Sequence, residues 1–200
     1  QVKDYGIPIG GTSAGMMILS QLNYVAIPVT ITSTEALQDP YKAWLPTQDA
    51  PLDLVADFWT NSQSPFPPLM ATVADSHFQN RDRMGRLISF LGRTIVENKA
   101  DSRLAQAIGV DQETALLMEC EDMSCSTPPA IKAVSYPKSF GAAYILKPTA
   151  NSSLTVEPAT PLTFTNVEVQ KLQANSAPTT YRINVNNGVM TSSKANGSIY

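Results

Sequence analysis

Ser13 lies in Gly11-Thr12-Ser13-Ala14-Gly15, which fits the pattern G-x-S-x-G. Glycines on both sides let a chain turn sharply from strand into helix and leave the serine oxygen exposed at the apex, where it can attack a carbonyl. Backbone N–H groups opening the helix, that of Ala14 first, are then available to a developing oxyanion. The plain alternative is a tight turn holding a small residue. A serine nucleophile needs a base, and the chain has one histidine, His77, followed by Arg81, Arg83 and Arg86. A lone histidine is more often an ordinary surface or core residue, yet a strand end is where α/β folds gather catalytic groups. Arg83 and Arg86 are three apart on the first turns of a predicted helix and can face one way. They read either as a solvated face or as a carboxylate-binding cluster, since guanidinium groups grip carboxylates bidentately.

The surrounding pattern supplies elements to position these groups. Tyr5 to Ile9 predicts a strand ending in Gly10-Gly11, and Ala14 to Leu22 a helix. Val25 to Ile31 reads as an edge strand because of Pro28. Residues 39–68 are proline-rich and loop-like, with Trp44 and Trp59 as anchors, and Leu69 to Ala74 is a short strand that delivers Asp75-Ser76-His77-Phe78. From Arg83 to Asn98, Met84, Leu87, Ile88, Leu91, Ile95 and Val96 recur at helical spacing, with Arg86, Ser89, Arg93 and Glu97 on the other side. Ala107–Val110 and Ala115–Cys120 are predicted strands around the polar break Asp111-Gln112-Glu113-Thr114. Beyond Pro128, Ala142–Leu146, Leu154–Val156, Val167–Leu172 and Tyr181–Val185 are short strands. The expectation is one domain over 1–200, α/β over 1–127 and β-rich over 128–200.

Composition narrows the function. The chain has 200 residues, 43% hydrophobic and 16% charged, with 14 basic against 17 acidic side chains and a net charge of −3. Nothing is present in bulk to neutralise phosphates, so a general nucleic-acid binder is excluded. Apolar runs such as Met16-Met17-Ile18-Leu19 are too short for a membrane helix. One histidine and two cysteines argue against a multi-ligand zinc site. Cys120 and Cys125 can close a disulfide across a tight turn, with two free thiols the alternative. Sequons at Asn151 and Asn196 fit a glycosylated protein, and together these features lean towards an oxidising, extracellular compartment.

Three stretches carry a resemblance: Gly10-Gly11-Thr12-Ser13-Ala14-Gly15, Asp75-Ser76-His77-Phe78 through Arg81-Asp82-Arg83-Met84-Gly85-Arg86-Leu87, and Gly109-Val110-Asp111-Gln112-Glu113-Thr114-Ala115-Leu116. They resemble cyanophycinase and cyanophycinase-like proteins, serine peptidases related to peptidase E, an aspartyl dipeptidase. The resemblance implies a flavodoxin-like, class I glutamine-amidotransferase-like three-layer α/β sandwich. It implies Ser13 as nucleophile, His77 as base, and Asp75, Ser76, Arg81, Arg83 and Arg86 lining or supporting the substrate site. It implies no metal or organic cofactor.

The chain departs from the family at two of these positions. Where the family draws the third triad member from a glutamate, an ungapped match puts Gln112; Glu113 could serve instead if the segment is a loop. Ser76 stands where cyanophycinases commonly carry glutamine beside the histidine. The family also places roughly a hundred residues before the elbow, on a sheet of ~5–6 strands, so the expectation is either a fragment or the larger chain of a cleaved precursor, with a second polypeptide from that precursor as partner. A peptide with a free carboxylate is the expected substrate, and a second copy of the chain a further candidate partner. The leading expectation is a serine peptidase-like hydrolase cleaving aspartyl-linked peptides. The alternative is a catalytically weak or inactive homologue serving as an extracellular binding or structural protein.

Overall fold

The computed structural model of the chain describes residues 7–24, 30–42, 52–53, 69–121, 125, 127–135, 141–193 and 199–200. In chain order the elements are α1 (Ala14–Met17), β1 (Asn23–Tyr24), α2 (Ser33–Gln38), β2 (Leu52–Asp53), β3 (Thr72–Asp75), a 3-10 turn (Gln79–Arg81) and α3 (Met84–Val96). There follow β4 (Gln106–Val110), β5 (Thr114–Glu119), β6 (Ala130–Ser135), β7 (Ala142–Pro148), β8 (Leu154–Thr155), β9 (Thr163–Gln173), β10 (Thr179–Asn186) and β11 (Val189–Ser192). The fold is mixed α/β. Among the described residues, seven strands form one sheet in the order β11-β10-β9-β7-β4-β3, with β8 paired to β9 beside that path. β3 and β4 run parallel with α3 as their connection, and the other neighbours are antiparallel.

Strand alternation divides the interior into two cores. Val73, Ala107 and Tyr144 face α2 and α3 in one, while Ala74, Ile108 and Ile145 face Leu116, Met118 and Ala133 of the β5–β6 hairpin in the other. Cover on both faces explains why β3 is buried at every residue, Thr72 and Asp75 included. Cys120 and Cys125 form a disulfide at the end of that hairpin, with Cα atoms 5.1 Å apart.

α3 matches its predicted span but not its predicted polar face. It is buried from Met84 to Thr94, polar residues included. Ser89 Oγ donates to the Gly85 and Ala36 carbonyls at 2.9 Å each, and Arg93 reaches Glu97 at 2.6 Å while stacking 4.5 Å from the Tyr41 ring centroid. The cover is α2, which the hydrophobic pattern does not mark. Its signal was a capping box: Glu35 N–H donates to Thr32 Oγ1 at 3.3 Å and Thr32 N–H donates to Glu35 Oε2 at 3.0 Å. The Thr32 N–H, with Lys42 beside it, holds the Glu35 carboxyl down at about 2. Gly85 permits the close approach, since a Cβ there would lie 2.8 Å from Ser33 Cβ.

Other expectations are corrected. Of the strand expected from Tyr5 to Ile9, Tyr5 and Gly6 lie outside the described residues, and residues 7–9 form no strand, with Ile7 and Ile9 exposed, because the segment finds no ladder among the described residues. The predicted helix from Ala14 to Leu22 stops at Met17. Gln21 and Leu22 instead donate to the Leu69 and Thr72 carbonyls, and Leu22 bridges Val73 in parallel on the side of β3 away from β4. The strand expected from Leu69 begins at Thr72, after a turn with Ala71 at φ 54°. Thr30 and Ile31 are not in a strand, and the rest of Val25 to Ile31 lies outside the described residues, as do Trp44, Trp59 and Asn196. β1, β2, β6 and β11 are additions to the predicted set, β2 lying within the stretch 39–68 expected to be loop.

Candidate active site

The elbow has the backbone that its glycines suggest. Ser13 sits at φ 53°, ψ −124°, a conformation that a non-glycine residue holds only under constraint. The chain then enters α1, with Gly15 N–H on the Thr12 carbonyl at 2.9 Å and Met16 N–H on the Ser13 carbonyl at 3.0 Å. Gly11 is required by space: a Cβ there would fall 2.1 Å from the Gly15 carbonyl oxygen. Ser13 and Ala14 are both exposed.

Parallel register brings the other two groups to this apex. Asp75 of β3 pairs with Gly109 of β4, so the loops leaving those strands, with His77 and Gln112, emerge side by side at their carboxyl ends. Leu22, on the other side of β3, ties the elbow segment to the same edge. His77 takes φ 49°, and its loop is pinned by Phe78 N–H on the Val110 carbonyl at 3.2 Å and Arg83 N–H on the Phe78 carbonyl at 3.0 Å. The Phe78 ring lies directly on Gly109, where a Cβ would come within 2.6 Å of it. Gly109→Ala is therefore expected to destabilise the fold by about 1–3 kcal/mol through overpacking, read from urea denaturation. A shift under about 0.5 kcal/mol, the range of an uneventful surface change, would show that the ring has room.

The three side chains meet. Ser13 Oγ is 3.1 Å from His77 Nε2, and Gln112 Nε2 is 2.8 Å from His77 Nδ1. An amide nitrogen only donates, so Nδ1 accepts in this arrangement and the ring proton sits on Nε2, facing Ser13. Half a turn of the amide presents Oε1 instead and reverses the tautomer. Burial first, then Arg81 and Arg83, holds the His77 pKa below its usual 6.5, with Asp75 opposing. The ring is thus kept neutral at neutral pH. Glu113 stands exposed at φ 54° beside Gln112, and the partner of Nδ1 is Gln112.

Sequence reasoning passed over Asp111 as an acid, and its structural part is different. Its buried carboxylate accepts Gln79 N–H from the His77 loop and Ala142 N–H from β7, each at 2.8 Å. It straps the two loops together, and burial pushes its carboxyl above the ordinary range. Tyr200 also went unmarked. Its hydroxyl donates to Asp82 Oδ1 at 2.7 Å and accepts Met84 N–H at 3.0 Å, bracing the same loop from the other side.

The arginines divide by environment. Asp75 is fully buried and accepts from Arg86 Nε at 2.6 Å, Arg86 Nη2 at 2.7 Å, Arg83 Nη1 at 2.8 Å and its neighbour Ser76 N–H at 2.9 Å. Arg86 also donates from Nη1 to Thr30 Oγ1 and the Ile31 carbonyl, so its guanidinium is consumed within the fold. Arg83 donates from the same Nη1 to the Ser76 carbonyl at 2.6 Å. Neither is a solvated face, and of the three only Arg81 is exposed. Ser76 is buried, with Oγ 3.7 Å from Met17 Sδ. Asn151 lies exposed in the turn between β7 and β8.

No family model and no curated protein matches the chain. Among the described residues no helix is long and apolar enough to cross a membrane, and no cluster of three or more His, Cys, Asp or Glu gathers as a metal site.

Proposed function

We propose that this chain is a serine hydrolase of the cyanophycinase-like kind, on a flavodoxin-like α/β frame, acting on aspartyl-linked peptides. The observation that carries the reading is the contact of Ser13 Oγ with His77 Nε2 at 3.1 Å, from an elbow at φ 53°. Ser13 is the nucleophile, His77 the base, Gln112 the residue that orients the base, and Ala14 N–H an oxyanion donor. Arg81, with the remaining donors of Arg83, receives the free carboxylate of the substrate. Asp75 and Arg86 hold Arg83 and the loop from behind. The disulfide and the exposed sequon at Asn151 support secretion.

One observation favours a second reading. An uncharged amide on His77 Nδ1 supplies no charge to stabilise imidazolium, as expected of a weak or inactive homologue that binds rather than cleaves. A fluorophosphonate probe separates the two. Labelling that maps to Ser13 and disappears in Ser13→Ala supports the hydrolase. No labelling of a protein whose circular dichroism and melting are those of a folded chain supports the binding protein.

A further inference from the structure

We propose that this site, if it is the serine hydrolase argued above, selects by leaving group: it turns over aryl esters and thioesters of carboxylate-bearing acids in strong preference to the corresponding amides. The inference rests on that reading and on what surrounds His77. Gln112 occupies Nδ1 with an amide at 2.8 Å. Arg81 and Arg83 act on the ring as cations, and the carboxylate that opposes them, Asp75, is already shared between two guanidinium groups. The charges that act on the imidazole are therefore two cations and one carboxylate already paired with arginines.

The chemistry divides at the second half of acylation. Ser13 Oγ adds to the acyl carbonyl while its proton passes to His77 Nε2, with Gln112 turned so that Oε1 accepts Nδ1–H. Expelling an amine requires that same proton to reach the leaving nitrogen, so imidazolium must persist until the C–N bond breaks. Here Nδ1 meets the Gln112 amide, which carries no charge to hold it. The proton returns to Oγ and the adduct collapses backwards. An aryl oxide or thiolate departs with its own electron pair and needs no proton from His77. The proton left on Nε2 is lost through solvent to the departed oxide or thiolate, which regenerates neutral His77. Water then attacks acyl-Ser13, giving a proton to Nε2, and that proton passes to Ser13 Oγ as the acyl–oxygen bond breaks. The net change is ester plus water to acid plus phenol or thiol.

The test uses the p-nitrophenyl ester and the p-nitroanilide of one acetyl-aspartyl group, with Ser13→Ala as background for each. In wild-type protein the ester is turned over. In Gln112→Glu the ester-to-anilide ratio of kcat/KM falls by ~10²-fold or more, the lower end of what a positioned general acid contributes. Equal gains on both substrates would overturn the inference while leaving the hydrolase reading intact. Turnover of neither substrate above background by either protein overturns both. A measurement on wild type alone covers a variant that does not fold. Across substituted phenyl esters the rate should fall steeply as the leaving oxide becomes more basic; a flat dependence, meaning that His77 delivers the proton after all, overturns the inference.

Discussion

Replacing Gln112 by glutamate is expected to accelerate fluorophosphonate labelling of Ser13 by about 10³–10⁴-fold, the reverse of what an acid-to-amide change costs a serine-protease triad. A carboxylate at the 2.8 Å position can only accept. It forces the proton onto Nδ1, frees Nε2 to take the Ser13 proton, and stabilises the imidazolium that results. The acid limb of the rate should move with it. The base works only when neutral, so activity is lost as pH falls through the His77 pKa. That pKa lies below 6.5 in the native chain because of burial and of Arg81 and Arg83. A nearby carboxylate raises it, so the variant should lose activity at a higher pH than wild type. With a single histidine in the chain, ¹⁵N resonances of the imidazole report tautomer and pKa directly. An Nε2–H tautomer persisting in Gln112→Glu, with no gain in labelling, would sink this account.

Asp75→Asn should produce the largest loss of stability of any isosteric change near the site, about 3–5 kcal/mol, because it removes one partner of a buried ion cluster. The asparagine keeps the shape but offers one acceptor where Asp75 now takes three guanidinium N–H groups and a backbone N–H. It also turns an amide donor towards Arg83 or Arg86. For a chain of this length about 1 kcal/mol corresponds to roughly 2–4 °C in Tm, so a fall of about 10 °C or more is expected by calorimetry. A melting point within a few degrees of wild type would mean that the cluster is not what holds the start of α3 to β3.

Local signals carried the site further than they carried the fold. Ser13 and His77 were legible because an elbow and a strand end are local features, and their approach follows once the two segments flank β3. Gln112 was legible only through a resemblance; its contact with His77 depends on the parallel pairing of Asp75 with Gly109, which no short window contains. Arg86 looked solvent-facing because its neutralising partner, Asp75, lies eleven residues back and across a turn. The helix expected to Leu22 failed because the Leu69 and Thr72 carbonyls compete for the chain. β6 could not be read from alternation because only Ala133 within it is buried; it exists through its ladder with β5.

The sheet order has a consequence for the sequence of folding events. β9, β10 and β11 are joined by short turns and pair with their chain neighbours, so closing them requires little loop entropy. Ser13 and His77 are 64 residues apart, so their meeting closes a long loop and is a slow, non-local step. The meander therefore becomes ordered while the nucleophile and its base are still apart. Opening of the elbow edge can then separate them again while the meander stays intact, and hydrogen exchange would show this as weaker protection at Leu22 and Val73 than at Val169 and Ile183.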